Sequence, residues 1–233
     1  MLGIEVWGDL GCFSRPELKV ERFSYPVITP SAARGILESI YWKPEFQWVV
    51  RRIEILEYPR WIGLRRNEAK DKAPSERTIS QWMSGQADIE PLWADGDKTF
   101  LGTDQKGRTQ RQTMALVRPR FRILAEIEPW PGNESNLRKY EAQFQRRAER
   151  GQCIYQPYLG CREFPAYFKL AQDGDKPSPV ALDADWGPML YDVFNRFEPG
   201  TPYSLPRVRT FDCVVRHGVI EVPHYRELEV VSS

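Results

Sequence analysis

Apolar residues at Leu2, Ile4 and Val6 alternate with small or polar ones, the period of two that turns one face of a strand toward a core. Gly8–Pro30 loses that pattern, carries glycine, proline and mixed charge, and reads as a long loop or irregular hairpin. Thr29-Pro30 looks like an N-cap followed by a first-turn proline, and Ala33, Ile36, Leu37 and Ile40 then recur at helical spacing until Lys43-Pro44 stops the helix. Trp48, Val49, Val50, Ile53 and Ile55 mark a second strand between Phe46 and Leu56. From Trp61 to about Met114 the chain is polar and charged without a sustained period, and is expected to be an extended insertion or protruding hairpin. The alternation returns at Phe121, Ile123, Ala125 and Ile127 and breaks at Pro131-Gly132-Asn133. Leu137, Tyr140, Phe144 and Ala148 give one helical face ending at Gly151, and Phe164–Leu170 is a short strand. The tail from about Asp173 holds a hairpin signal: Phe211–Val215, a turn at His217-Gly218, and Val219–Val222.

Strand, helix, strand, insertion, strand, helix, strand is the split βαβ–βαβ order of a ferredoxin-like α+β domain. The expected organisation is a ferredoxin-like domain over 1–172, interrupted by an insertion at about 60–116, and a small β-rich C-terminal extension over 173–233. Hydrophobic residues at 41% and aromatics at 12% supply a real core and exclude a disordered chain. No apolar run approaches the roughly 18–20 residues of a membrane helix, and the start lacks a signal-peptide pattern, so no membrane partner and a cytoplasmic location are expected.

The net charge of +1 conceals 24 Arg against 9 Lys. A guanidinium pairs with phosphate and stacks on bases where an ammonium is only a point charge, so the excess hints at an anionic partner; an Arg-rich genome explains it equally well. Cys12, Cys153, Cys161 and Cys213 form no CxxC, and His217 and His224 are the only histidines, so neither a metal nor another cofactor is expected. The phosphate-binding, dinucleotide, HExxH and GxSxG patterns are missing. Basic residues instead fall in three separated segments. The second helix carries Arg138, Lys139, Arg146, Arg147 and Arg150; the strand before it carries Arg118, Arg120 and Arg122 at period two; the insertion carries Arg65, Arg66, Lys70, Lys72, Lys106, Arg108 and Arg111. With Trp and Tyr interleaved, such stripes suit single-stranded RNA, held by backbone contact and stacking. A solvated basic face over the sheet is the competing account of the helix.

These residues also resemble a known family. Ser31-Ala32-Ala33-Arg34-Gly35-Ile36-Leu37-Glu38-Ser39-Ile40-Tyr41-Trp42-Lys43-Pro44 is similar to the first-helix signature of CRISPR-associated family-five RAMP proteins of the Dvulg, or type I-C, subtype. Gln156-Pro157-Tyr158-Leu159-Gly160-Cys161-Arg162-Glu163-Phe164-Pro165-Ala166 resembles their later loop-and-strand block. Val6-Trp7-Gly8-Asp9, Val20-Glu21-Arg22-Phe23-Ser24-Tyr25 and Arg65-Arg66-Asn67-Glu68 match too, and the likeness runs to about Leu170 and weakens in the tail.

The resemblance implies an RRM-like RAMP fold and a metal-independent endoribonuclease acting on CRISPR repeat RNA. Attack of a ribose 2′-OH on the adjacent phosphate leaves a 2′,3′-cyclic phosphate, and the protein keeps the crRNA 5′ handle. It also implies partners: the backbone and large subunits of the Cascade surveillance complex and, through that complex, target DNA. The family's catalytic positions fall on Tyr41, at the end of the first helix, and on Lys139-Tyr140, at the start of the second, or with a one-residue slip on Arg138-Lys139. Here the chain departs from the pattern, because the family's His has become Tyr140. An ordinary phenol, with a pKa near 10, donates a proton at neutral pH far better than it accepts one. Tyr41 is assigned to position or deprotonate the 2′-OH, Lys139 to stabilise charge and Tyr140 to protonate the leaving group. Arg65, Arg66, Arg120, Arg122, Arg138, Arg146 and Arg147 are assigned to RNA contact. Two rival accounts stand: a crRNA 5′-handle-binding subunit without scission, in which Tyr140 is core and Tyr41 a helix cap, and a protein-interaction subunit whose basic faces meet acidic partners.

Overall fold

In the computed structural model, which describes residues 1–18, 20–70, 72–93, 96–103, 105–172, 174, 177–194, 196–197 and 208–227, the strand and helix periods read above become elements at nearly the expected places. The chain opens with strand β1 (Leu2–Trp7) and two short strands, β2 (Leu10–Gly11) and β3 (Arg22–Phe23), before helix α1 (Pro30–Ile40) and strand β4 (Phe46–Ile55). Strand β5 (Trp61–Ala69), helices α2 (Glu76–Met83) and α3 (Lys98–Leu101) and strand β6 (Arg108–Val117) follow. Strand β7 (Arg120–Pro129), helix α4 (Leu137–Glu149) and strand β8 (Tyr167–Leu170) form the second βαβ half, and β9 (Ala184–Asp192), β10 (Arg209–Val215) and β11 (Val219–Glu221) lie in the tail.

The main sheet runs β11-β4-β7-β1-β8, every neighbouring pair antiparallel. The four strands β4-β7-β1-β8 have the ferredoxin-like order, so the fold is α+β as the element order predicts. Register makes the core. Ile4 lies opposite Ile123, which lies opposite Ile53; Val6, Phe121 and Ile55 form the next row, and Leu2, Ala125 and Val50 another. These rows face one side. A bulge between Val50 and Arg52 admits one extra residue in β4, so its inward positions change from even to odd numbers. Without it a strand of this length would turn half of its apolar residues to the wrong face.

Helices α1 and α4 cover that side. Thr29 caps α1, its Oγ1 accepting from the Ala32 amide at 3.3 Å, with Pro30 in the first turn as the sequence predicts. Ala33, Ile36, Leu37 and Ile40 are buried beneath it, each large one contributing about 1.5–3 kcal/mol. Helix α4 buries Tyr140, Phe144 and Ala148, with the Phe144 ring 4.6 Å from that of Trp48.

The chain divides into two compact units, Met1–Ile62 with Met114–Ser233, and Gly63–Thr113. The second holds the distal parts of β5 and β6, which pair, together with α2 and α3, so the segment without a clear period is an ordered hairpin bearing two short helices. The β-rich extension expected over 173–233 corresponds to the three strands of the tail. Its strand β11 extends the main sheet through Ile220 opposite Ile53, while β9 and β10 form their own two-stranded ribbon. His217 and Gly218 do form the expected tight turn, both with positive φ, yet β10 and β11 leave it into different sheets. Residues 173, 175–176, 195, 198–207 and 228–233 of that tail lie outside the described residues.

Candidate active site

Helix α1 ends where the Tyr41 backbone turns extended, its amide still bonded to the Leu37 carbonyl and its own carbonyl accepting from the Trp48 indole at 2.9 Å. Helix α4 starts beside this end. The Phe46 ring lies between two phenols, 5.5 Å from Tyr41 and 5.0 Å from Tyr140 by ring centroids. Tyr41 and Tyr140, 99 residues apart in sequence, are thereby brought to one junction, and both rings are buried. Among the described residues neither hydroxyl has a protein hydrogen-bond partner, and neither is among the polar atoms sealed from water. Lys139 precedes Tyr140 on the same helical turn and is exposed.

The junction's electrostatics are set by burial. Loss of hydration raises the Tyr41 phenol above its usual value near 10, and Tyr140 and Glu45 raise it further; the Arg147 guanidinium opposes them. At neutral pH this phenol is a protonated hydrogen-bond donor. Arg147 takes up a structural task at the same point: its Nε donates to the Ile40 carbonyl at 2.7 Å, answering an otherwise open carbonyl at the negative end of α1.

Sequence reasoning overlooked Glu45. Its Oε2 is sealed from water with no hydrogen-bond partner, and its charge is felt by Tyr41. A carboxylate four residues beyond the helix-end tyrosine was the available signal, but one Glu among many carries no weight until the fold turns it inward.

The arginines predicted to meet RNA separate into groups. Arg138 and Arg146 lie exposed on α4, and Arg147 is half-buried as described. Arg65 and Arg66 sit on β5 within the second unit, Arg65 exposed and Arg66 paired with Glu68 at 3.0 Å. Arg120 and Arg122 are engaged by carboxylates. They point to the sheet face away from α1 and α4, where Lys169, Glu5, Arg122 and Glu54 line up across four strands in one row of alternating charge. Glu5 is fully buried and is neutralised by Arg120, by Lys169 at 3.5 Å and by Arg122 at 3.9 Å; Arg122 also bonds Glu54 at 2.6 Å and the Pro177 carbonyl at 3.1 Å. Arg122 is 8% exposed, which removes it from any phosphate-binding surface. Arg120, one third exposed, spends its Nε on Glu5 at 2.7 Å. A charge buried beside these guanidiniums demands them, and period two on a strand does not reveal that demand.

A buried pair of phenols, a carboxylate and an exposed ammonium can donate protons to a phosphate's oxygens, accept one from a hydroxyl and balance negative charge. Described as a CRISPR-associated protein of the Cas5 group, a family sequence profile matches residues 1–223. The chain is 40% identical to a protein of Thermus thermophilus named CRISPR pre-crRNA endoribonuclease Cas5d, over 97% of this chain and 94% of that one. A protein of the same name from Mannheimia succiniciproducens is 39% identical, over 97% and 96%. Among solved structures, one called a CRISPR-associated protein superposes with a TM-score of 0.65 at 17% identity, covering 100% of this chain and 96% of that one. A functionally uncharacterized Streptococcus mutans protein, SMU1763c, gives 0.64 at the same identity and coverage, so these two speak for the fold.

Proposed function

This chain belongs to the CRISPR-associated Cas5d family, and from that premise we propose that it is an endoribonuclease that processes CRISPR precursor RNA, with its chemistry at the junction of α1 and α4. The observation that carries the placement is the convergence of Tyr41 and Tyr140 on either side of Phe46. The reaction is metal-independent: a ribose 2′-oxygen bonds to the adjacent phosphorus, the bond from phosphorus to the 5′-oxygen breaks, and a 2′,3′-cyclic phosphate and a 5′-OH remain. Tyr41, held protonated, donates to the substrate and positions it rather than serving as a phenolate base. The Glu45 carboxylate, through the oxygen that is not sealed from water, is the group at the junction suited to take the 2′-OH proton. Lys139 balances the charge of the phosphorane, and Tyr140 gives a proton to the departing 5′-oxygen. Arg138 and Arg146 on α4, with Arg65 on the second unit, contact the phosphates. After cleavage the protein stays on the 5′ handle as a cytoplasmic subunit of Cascade, beside its backbone and large subunits and, through them, target DNA.

One observation favours the handle-binding account without scission: both phenol rings are largely enclosed, as core residues would be. Incubation with the chain's own repeat RNA in EDTA separates the two. The cleavage account expects one discrete cut with a cyclic phosphate on the upstream product and loss of turnover in Lys139→Ala with RNA binding retained. A mobility shift with intact RNA refutes it.

A further inference from the structure

On the other half of α1 lies an open cavity of about 430 Å³, between the helix, the loop around Tyr155–Gly160 and the end of β9. It is separate from the Tyr41–Tyr140 junction, and neither the catalytic assignment nor the basic stripes use it. Its walls are aromatic at the rim, where Tyr155 is 51% and Phe194 56% exposed, and Tyr158 lines it further in. These two large rings stand half in water beside an empty space that a flat group could fill.

Gly35 is the second observation. It lies in the middle of α1 and lines this cavity. Glycine weakens a helix interior relative to alanine, and a fold keeps it where φ is positive or where its own atoms come too close for a Cβ. Neither reason applies: Gly35 is absent from the positive-φ glycines, and a Cβ built there meets nothing within 4 Å. The space above it is open to something outside the chain.

The charges of the cavity say what that something is. Arg34 is the cation of the wall, and its donors are already engaged: Nε with Asp192 at 3.1 Å, a second nitrogen with Asp192 at 3.3 Å and the third with Glu38 at 2.7 Å. Arg196 also pairs with Asp192, at 3.9 Å, so two guanidiniums meet two carboxylates and the wall has no cation to spare. Such a wall offers a phosphate no uncompensated charge and favours a flat, neutral group with N–H donors, able to slide between aromatic rings. Glu38, whose hydrogen bond to Arg34 uses one carboxylate oxygen, and the hydroxyl of Ser31 are there to receive those donors.

From the cavity's size, its aromatic rim, its charge-compensated wall and the clearance above Gly35, we propose that it receives one unpaired nucleobase of the bound RNA, lying against the bare helix at Gly35 with its N–H edge toward Glu38. The inference rests on the RNA-processing function above and adds to it a position of base readout. Single-stranded RNA is recognised in this way, by splayed bases stacked on aromatic side chains and read along their edges.

The test measures binding and stability together. The probe is the chain's own CRISPR repeat as 2′-fluoro RNA, which offers no attacking hydroxyl, along with a set of single abasic versions. Gly35→Ala is expected to melt at a higher temperature than the wild type and yet bind the repeat about tenfold more weakly. One abasic position is expected to weaken the wild type about tenfold and Gly35→Ala no further. Tyr155→Ala, at an exposed side chain, is expected to show the same position-specific loss and decides the matter if Gly35→Ala disturbs the fold. Wild-type affinity in both variants overturns the inference. So does weakened binding that no single abasic position reproduces, which would mark a surface for a protein segment instead. A wild type with no affinity for the repeat refutes the RNA-processing function itself, a result separable from both.

Discussion

Replacing Arg122 by methionine separates two roles that this residue type can play on a sheet. The substitution keeps much of the side-chain volume and removes the charge. In the native chain Arg122 bridges Glu5, fully buried on β1, and Glu54 on β4, and reaches the Pro177 carbonyl. Removing one member of a buried ionic group costs about 3–5 kcal/mol, because the remaining charge stays desolvated. Glu5 keeps Arg120 and Lys169, which places the loss at the low end, about 3 kcal/mol. For a chain of this size that is a fall of roughly 6–12 °C in melting temperature, read by calorimetry or circular dichroism. RNA affinity of the folded variant should stay within about twofold of wild type. Arg146→Ala, on the exposed face of α4, should do the opposite: unchanged melting, weaker RNA binding, and a salt-dependence slope reduced by about 1. An Arg122→Met protein that melts like the wild type but loses RNA affinity would refute the assignment of this row to structure.

Two further outcomes follow from the geometry. Arg147→Met removes the charge-assisted bond to the Ile40 carbonyl, costing about 2 kcal/mol, and should slow cleavage more than it weakens RNA binding, since Tyr41 follows directly; single-turnover rates and titrations of one preparation check this. Burial raises the Tyr191 phenol from 10.0 to about 12, so its stabilising effect is complete below pH 10 and is lost as the pH rises to 12: the unfolded phenol ionises first. Urea unfolding at pH 9 and pH 11 should show a loss of roughly 1.4 kcal/mol from this group, absent in Tyr191→Phe; equal losses in both proteins would contradict it.

Much of the architecture was legible in the order of residues because a strand or helix writes its period locally. The stripes of β1, α1, β4, β7 and α4 each need only a dozen neighbouring positions, and the Thr29-Pro30 start of α1 only two. Strand β9 escaped notice because Gly187 and Pro188 interrupt it, and its pairing with β10 is a long-range fact. The same holds for the tail, where a turn at His217-Gly218 is visible locally, but that β11 joins β4 is not.

The candidate site divides along the same line. That Tyr41 ends a helix and that Lys139 and Tyr140 begin another is written in sequence, and so is the basic character of α4. Whether an arginine is offered to solvent or consumed by a buried carboxylate depends on what lies opposite it, and for Arg122 that partner comes from β1 and β4, strands distant in the chain. The meeting of Tyr41, Tyr140 and Glu45, and the clear space above Gly35, likewise exist only once α1 and α4 have packed on the sheet. Periodicity comes from backbone geometry, which repeats over a few residues, while charge compensation and cavities come from distances between segments that only register and packing can set.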